Sequence, residues 1–356
     1  MFTETSSRGF ARRVLRSPLL SVLTGPHGID SYTELVDRAW TEREARATIA
    51  GVRRQTRRSV TLVLQPNQLG AQSFAEFRAG QHITVTVEID GRRHTRCYSP
   101  ANAEGSSTIE LTIGRHDGGR VSTYLYDHAR VGMVVGIGAP AGDFTLGSER
   151  RVLFISGGSG ITPVLSMLRT RATRGLDGEV AFVHYARNPA DATYVEELAA
   201  MRGVRVLHGY TRSDVGGLDG RVSAEHLQSA LDAPDAVYVC GPPALMQSVH
   251  AMYPQARSES FAPPTLGSAG ESSGGRVLFA DSAVTVTDDG RSLLEQAEAA
   301  GLSPESGCRM GICHSCTRRK TSGAVKNLIT GAVSSAADED VQICVSAPAG
   351  DVEITL

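Results

Sequence analysis

Three cysteines fall in one short run, Cys308, Cys313 and Cys316 within SGCRMGICHSC, and Cys344 follows near the C-terminus. A C-x4-C-x2-C run with a distant fourth thiol is the spacing that ligates a plant-type 2Fe-2S cluster, because a loop must bend around two irons and bring thiolates to both. Gly307 and Gly311 supply backbone freedom for that bend. A structural zinc site also takes four cysteines, but its short spacings come in pairs, which this run lacks. A 2Fe-2S cluster moves one electron at a time, so the rest of the chain has to hold the source of that electron.

At 356 residues the chain is expected to fold as two or three domains. Its net charge of -2 gives no basic field, which excludes nucleic acid as an expected partner. The two cysteines outside the cluster pattern, Cys97 and Cys240, are isolated in sequence. That usage points to a reducing compartment and a cytoplasmic protein. No segment approaches the roughly 18 consecutive apolar residues of a membrane span. The basic stretch from Phe10 to Leu23 has too short an apolar part, and no small-residue cleavage site, for a secretory signal.

Residues 1–47 read as a helical N-terminal arm. Ser31 and Glu34 make a capping-box pattern, and Leu35, Val36, Ala39 and Trp40 share one face, so a helix is expected over about 31–46. Arg8, Arg12, Arg13 and Arg16 beside Leu15, Leu19, Leu20 and Leu23 offer a peripheral contact with anionic lipid or a partner. A solvated face is the commoner meaning of such a charge run.

Residues 48–149 read as β. Ile83, Val85, Val87 and Ile89 alternate with polar residues before an Asp90-Gly91 turn, and SVTLVLQ, TIELTIG and MVVGIGAP add short strands, as in a closed antiparallel barrel. Residues 150–261 change to alternating β and α. RVLFIS, EVAFVHYA, VRVLHGY and DAVYVC are apolar runs suited to strands buried on both faces, with helices expected at 162–174 and 191–201, so a doubly wound parallel sheet is expected. Residues 262–275 are rich in Gly, Ser and Pro and read as a linker. Residues 276–356 then carry the cysteines, with strands expected at RVLFA, AVTVT, QICVSA and DVEITL and a helix starting near Arg291.

Four motifs carry chemistry besides the cysteine cluster pattern. Arg96-Cys97-Tyr98-Ser99 closes a strand and offers a cation for a pyrophosphate, a ring for a flavin and a hydroxyl for its reactive nitrogen. Gly119-Arg120-Val121-Ser122 adds amides and a hydroxyl for the same phosphates. Gly157 to Pro163, GGSGITP, follows a buried strand, so a glycine-rich turn and a helix N-terminus face one point, where a dinucleotide pyrophosphate is stabilised. Thr162 is the expected N-cap and Pro163 the first helical residue. Cys240-Gly241-Pro242-Pro243 ends another strand of that sheet, at the edge where open α/β folds bind ligands. A buried free cysteine is otherwise a small hydrophobe.

In this order, R-x-Y-S, G-x-V-S, GGSGITP, CGPP and E-x-F, then C-x4-C-x2-C and a last cysteine, the chain resembles the ferredoxin-NADP reductase superfamily with a fused plant-type ferredoxin. The resemblance covers about residues 48–356 and is nearest to reductases that serve bacterial oxygenases and membrane fatty-acyl desaturases. It implies a β-barrel flavin domain, an α/β nucleotide domain and a β-grasp cluster domain. It further implies that Arg96, Tyr98 and Ser99 hold the flavin, that Gly119 to Ser122 bind its pyrophosphate, and that Gly158, Gly160, Ile161, Thr162, Pro163, Gly241 and Pro242 seat the nicotinamide dinucleotide. Ser99, Cys240 and Glu259 would line the hydride-transfer site, and Phe261 falls where relatives carry an aromatic over the flavin, although in many of them that aromatic ends the chain.

The implied reaction is a relay from NAD(P)H through flavin and cluster to an oxygenase, hydroxylase or desaturase, the flavin converting a two-electron hydride into single electrons. FAD is expected, with FMN as the alternative. NADPH is expected over NADH because Arg212 and Arg221, after the third strand of the α/β sheet, and Arg187, after the second, supply cations for a 2′-phosphate. Two rival readings are a flavin oxidase that reduces oxygen by itself and a non-enzymatic zinc-bound adaptor.

Overall fold

The computed structural model describes residues 39, 41, 43–213, 215, 217–261, 272–311 and 314–356. The basic N-terminal stretch, nearly all of the helix expected over 31–46, linker residues 262–271 and Cys313 lie outside the described residues. Arg46, expected to end that helix, instead opens a strand.

The first sheet contains β1 (Arg46–Thr56), β2 (Ser59–Pro66), β3 (Ile83–Ile89), β4 (Arg92–Tyr98), β5 (Ile109–Gly114) and β6 (Val134–Ile137), in the order β4-β3-β6-β1-β2-β5. Its neighbouring strands pair antiparallel. The alternating residues of β3 are buried against Ile49, Leu62, Leu64, Ile109 and Leu111. The β3–β4 hairpin turns on Asp90 (φ 53°) and Gly91 (φ 71°), the two positive φ angles that a two-residue type I′ turn requires. β4 and β5 form the two ends of the hydrogen-bonded order, and helix α2 (Arg120–His128) contacts both of them. Short helix α1 (Gln68–Phe74), capped by Asn67, covers β1 and β2.

The second sheet is parallel throughout: β7 (Arg151–Gly157), β8 (Glu179–Ala186), β9 (Val204–Tyr210), β10 (Leu218–Asp219), β11 (Ala236–Cys240) and β12 (Arg257–Glu259), ordered β10-β9-β8-β7-β11-β12. Phe154, Phe182 and Tyr238 pack on one face with helix α3 (Ile161–Arg174), while Leu153, Ile155, Val183 and Val239 pack on the other. Burial on both faces is why these strands read as unbroken apolar runs. Strand order reverses between β7 and β11, and the carboxyl ends of these two strands are where such a fold is expected to bind its ligand. The helix expected at 191–201 is only α4 (Val195–Ala200). Tyr194, with φ of 60°, turns out of helical geometry before it, and its hydroxyl donates to Glu110 of β5 at 2.9 Å. α5 (Ala224–Ala230) and α6 (Pro243–Met252) complete this sheet's helices.

The third sheet, β14-β13-β18-β15-β16, comprises β13 (Arg276–Phe279), β14 (Val284–Thr287), β15 (Thr317–Asn327), β16 (Val333–Ser334) and β18 (Ser346–Ile354), with β17 (Glu339–Gln342) paired to β15. Helix α7 (Leu293–Ala299) opens on a Ser292/Glu295 capping box and buries Leu293, Leu294 and Ala297. The strand expected at QICVSA does not form as one piece. β17 ends at Gln342, β18 begins at Ser346, and Cys344 sits on the turn between them, closed by Val345 N–H donating to Gln342 O at 3.1 Å.

Candidate active site and cluster loop

β4 delivers the first group of expected residues. Ser99, just past its end and 2% exposed, donates its hydroxyl to Glu259 Oε2 at 3.2 Å. Glu259 ends β12, where it pairs in register with Cys240 of β11. The first and second sheets therefore meet where Ser99, Glu259 and Cys240 converge. Burial pushes the Glu259 carboxyl above its ordinary range, and hydrogen bonds from His82 and Ser99 pull the other way. Burial, with the Glu259 charge beside it, pushes the Cys240 thiol well up, so Cys240 is a neutral wall and not a thiolate.

His82 is the residue that sequence reasoning missed. Its Nδ1 donates to Glu259 Oε1 at 2.9 Å, and both side chains are almost fully buried. The separation of 177 residues hides the pair in the sequence. The only local signal was a histidine placed at the start of an alternating strand.

The two turns of the second sheet approach backbone to backbone. A Cβ on Gly160 would stand 2.1 Å from the Cys240 carbonyl oxygen, and one on Gly157 would stand 2.8 Å from Pro242. Only glycine fits there. The helix begins earlier than expected: Gly158–Gly160 form a 3-10 turn, Gly160 is the N-cap of α3, and Ile161 is its first residue. Thr162 therefore does not cap; its hydroxyl donates back to Ser159 O at 3.3 Å. No side chain caps α3 and no acidic residue stands in its first turn, which leaves its amides for an anion.

In the first sheet's phosphate motif, Gly119 is the N-cap of α2. Val121 faces the core, and the Ser122 hydroxyl is spent on Gly119 O at 3.3 Å, so the outward groups are the amides and Arg120, whose Nη2 donates to Asp90 Oδ2 at 2.9 Å on the exposed surface. Beside them opens a cavity of about 570 Å³, lined by Arg115, His116, Arg120, Tyr124 and His128 among others. It lies within the usual size range of small-molecule sites. Tyr98 is half-buried against the first core, Cys97 is half-buried, and Phe261 packs, partly buried, against the core on the α3 side of the second sheet.

Arg187 and Arg212 are exposed on adjacent loops, tied by Arg212 N–H donating to Arg187 O at 2.8 Å. Arg221 is exposed just beyond β10.

In the cysteine loop, Cys308, Cys316 and Cys344 are all buried. A hydrogen bond with Cys316, burial and the nearby Cys308 charge together hold the Cys344 thiol far above its ordinary value, while the Gly311 N–H works against them. Thiolate sulfur is a soft donor that suits an iron-sulfur cluster, and a bound metal charge would favour the ionised form of Cys344 that its neighbours disfavour. Met310 N–H donates to Cys308 Sγ at 3.3 Å, and Gly311 takes φ of 73°. Arg96 of β4 donates from Nη1 to Gly307 O at 2.8 Å, so the first sheet touches the residue before Cys308.

Family models match all three parts: an oxidoreductase FAD-binding domain over 59–146, an oxidoreductase NAD-binding domain over 154–251, and a 2Fe-2S iron-sulfur cluster binding domain over 279–349. The chain is 34% identical over 350 residues to an NADPH oxidoreductase of Mycobacterium tuberculosis, covering 92% of this chain and 89% of that protein. The chain belongs to the ferredoxin-NADP reductase family with a C-terminal 2Fe-2S domain. This reductase is also 32% identical over 323 residues to the glycine betaine monooxygenase reductase subunit of Pseudomonas aeruginosa, with 78% of this chain and 87% of that one covered. Its fold matches phthalate dioxygenase reductase with a TM-score of 0.60 at 24% identity, over 88% of this chain and 98% of that structure. It is an NAD(P)H-dependent oxidoreductase that uses FAD and a 2Fe-2S cluster. No helix among the described residues is long and apolar enough to cross a membrane.

Proposed function

We propose that this reductase draws electrons from NADPH and delivers them, through FAD and its cluster, to an oxygenase, a hydroxylase or a fatty-acyl desaturase. One observation carries the reading. At the end of β4, Arg96 reaches the cysteine loop, and Ser99, three residues on, reaches Glu259 of the nucleotide sheet. Three extended residues span only about 10 Å of backbone, so the hydride site and the cluster loop are neighbours. Bound FAD supplies the conversion of a hydride into single electrons.

The chain's own residues bind and orient. Arg96, Cys97 and Tyr98 form the flavin wall, and Arg120 with the amides of Gly119 to Ser122 faces the flavin pyrophosphate. The cavity beyond them takes the adenylate half, which favours FAD over FMN. Gly158 to Pro163 and Gly241-Pro242 seat the nicotinamide dinucleotide. Ser99, Cys240 and Glu259 enclose the reacting ring, and Phe261 closes the pocket from the sheet side. Arg187, Arg212 and Arg221 receive the 2′-phosphate of NADPH, and Cys308, Cys313, Cys316 and Cys344 hold the cluster.

We divide the chain at 48–149, 150–261 and 276–356, with 1–47 as the arm and 262–275 as the linker. Acceptor identity is supported by the monooxygenase reductase subunit among the relatives. The test is reconstitution: substrate turnover by a candidate oxygenase or desaturase should require this protein and NADPH. Rapid oxygen consumption without any acceptor would favour the oxidase reading instead.

A further inference from the structure

The His82–Glu259 contact has no place in the motifs that identify the family, yet it touches the residue on which the hydride site turns. His82 precedes β3, its backbone pairs with Ala141, and its imidazole is held from behind by Gly142, where an added Cβ would stand 3.0 Å from Nδ1. Gly142 has φ of 101°, which favours glycine and lets the loop close on the ring. His82 and Ser99, from either side of the β3–β4 hairpin, grip the two oxygens of one carboxylate, and Cys240 of the neighbouring strand is the other titratable group against it.

Chemistry demands a partner for that carboxylate. The overall conversion is NADPH to NADP plus a proton and two electrons. The electrons leave through the cluster to the acceptor, so the proton of the hydride stays behind in a closed pocket. A hydroxyl, a carboxylate and an imidazole joined by hydrogen bonds form a chain that can carry it.

We propose that His82 is a positioning residue of the hydride site, which aims Glu259 at Ser99 and acts as the proton partner of that carboxylate. This rests on the assignment of Ser99, Cys240 and Glu259 to that site. A buried carboxylate that loses its imidazole keeps only the Ser99 hydroxyl against desolvation, so removal of His82 drives Glu259 further towards its protonated form.

The experiment uses FAD-loaded, cluster-loaded enzyme with His82→Phe, His82→Gln and Glu259→Gln. Anaerobic rapid mixing with NADPH gives the pH profile of flavin reduction, and infrared difference spectra report the protonated-carboxyl band of the resting enzyme. Both His82 variants are expected to shift the profile upward, because each removes the imidazole that pulls the Glu259 carboxyl down. They should also gain a carboxyl band near neutral pH that Glu259→Gln lacks. His82→Gln, which keeps a donor for Oε1, should retain the limiting rate, while His82→Phe should lower it roughly 10-fold or more. If His82→Phe fails to retain FAD, His82→Gln still carries the profile and the band. An unchanged profile and band in His82→Gln, with Glu259→Gln impaired, overturns the role of His82 alone. Unimpaired Glu259→Gln overturns the site assignment beneath it.

Discussion

The guanidinium of Arg96 donates to the carbonyl of Gly307, 2.8 Å away and one residue before Cys308. A residue placed by its motif beside the flavin thus also fastens the loop that carries the cluster. Arg96→Ala, assayed with FAD added to saturation, should slow cluster reduction more than flavin reduction by NADPH. A hydrogen bond from a charged group contributes roughly 1.5–3 kcal/mol, so the expected loss is about 10-fold or more. Stopped-flow absorbance separates the two steps, and equal slowing of both would remove the docking role.

Cys308→Ser, Cys316→Ser and Cys344→Ser should each abolish the cluster spectrum while NADPH still bleaches the flavin. Cys316 and Cys344 belong to a core built from Val277, Phe279, Leu293 and Ile354, separate from the cores of the other two sheets, and Cys308 is buried as well. Cys313→Ser is expected to behave likewise. Loss of flavin bleaching in all four variants would contradict this independence.

Arg212→Ala should raise KM for NADPH much more than for NADH. The loss for NADPH should correspond to roughly 1.5–3 kcal/mol, the range for a hydrogen bond to a charged group. Steady-state kinetics with both nucleotides checks this, and an equal effect on both would remove Arg212 from the 2′-phosphate site.

His184 gives a pH signature. It is buried at the end of β8, bonded to Ser156 Oγ at 2.7 Å, and burial, helped by the His208 charge, lowers its pKa to about 3. Because the folded value lies below the unfolded one, the neutral ring contributes its stability above about pH 6.5 and loses it as pH falls towards the folded value. The loss is about 1.4 kcal/mol for each unit in that window. His184→Gln does not titrate, so the stability gap between wild type and variant should narrow from near pH 7 to near pH 5 in denaturant melts. A constant gap would show that His184 does not control acid stability.

Much of this molecule was legible because its strands are strongly patterned. β3 alternates, and β7, β8 and β11 are unbroken apolar runs that only a doubly covered parallel sheet accommodates. β1 and β15 were hidden by charged, solvent-facing positions such as Arg53, Arg54 and Arg319, although both strands lie inside their sheets. The cysteine spacing disclosed the cluster, but the apolar neighbours of Cys344 disguised a turn as a strand, because the loop has to break the ladder to aim that sulfur at Cys316. Thr162 has the chemistry of an N-cap, yet a 3-10 turn moved the helix start ahead of it. His82 could not be found from spacing at all, since only the meeting of two sheets brings it to Glu259.

The central claim, a relay from NADPH through FAD to the cluster within one chain, is tested most directly by anaerobic rapid mixing of the complete enzyme with NADPH under diode-array detection. Flavin bleaching should come first, followed by loss of the cluster's visible absorbance at a rate independent of protein concentration. A cluster that stays oxidised while the flavin is fully reduced, or one reduced only at a rate that scales with protein concentration, would contradict the account.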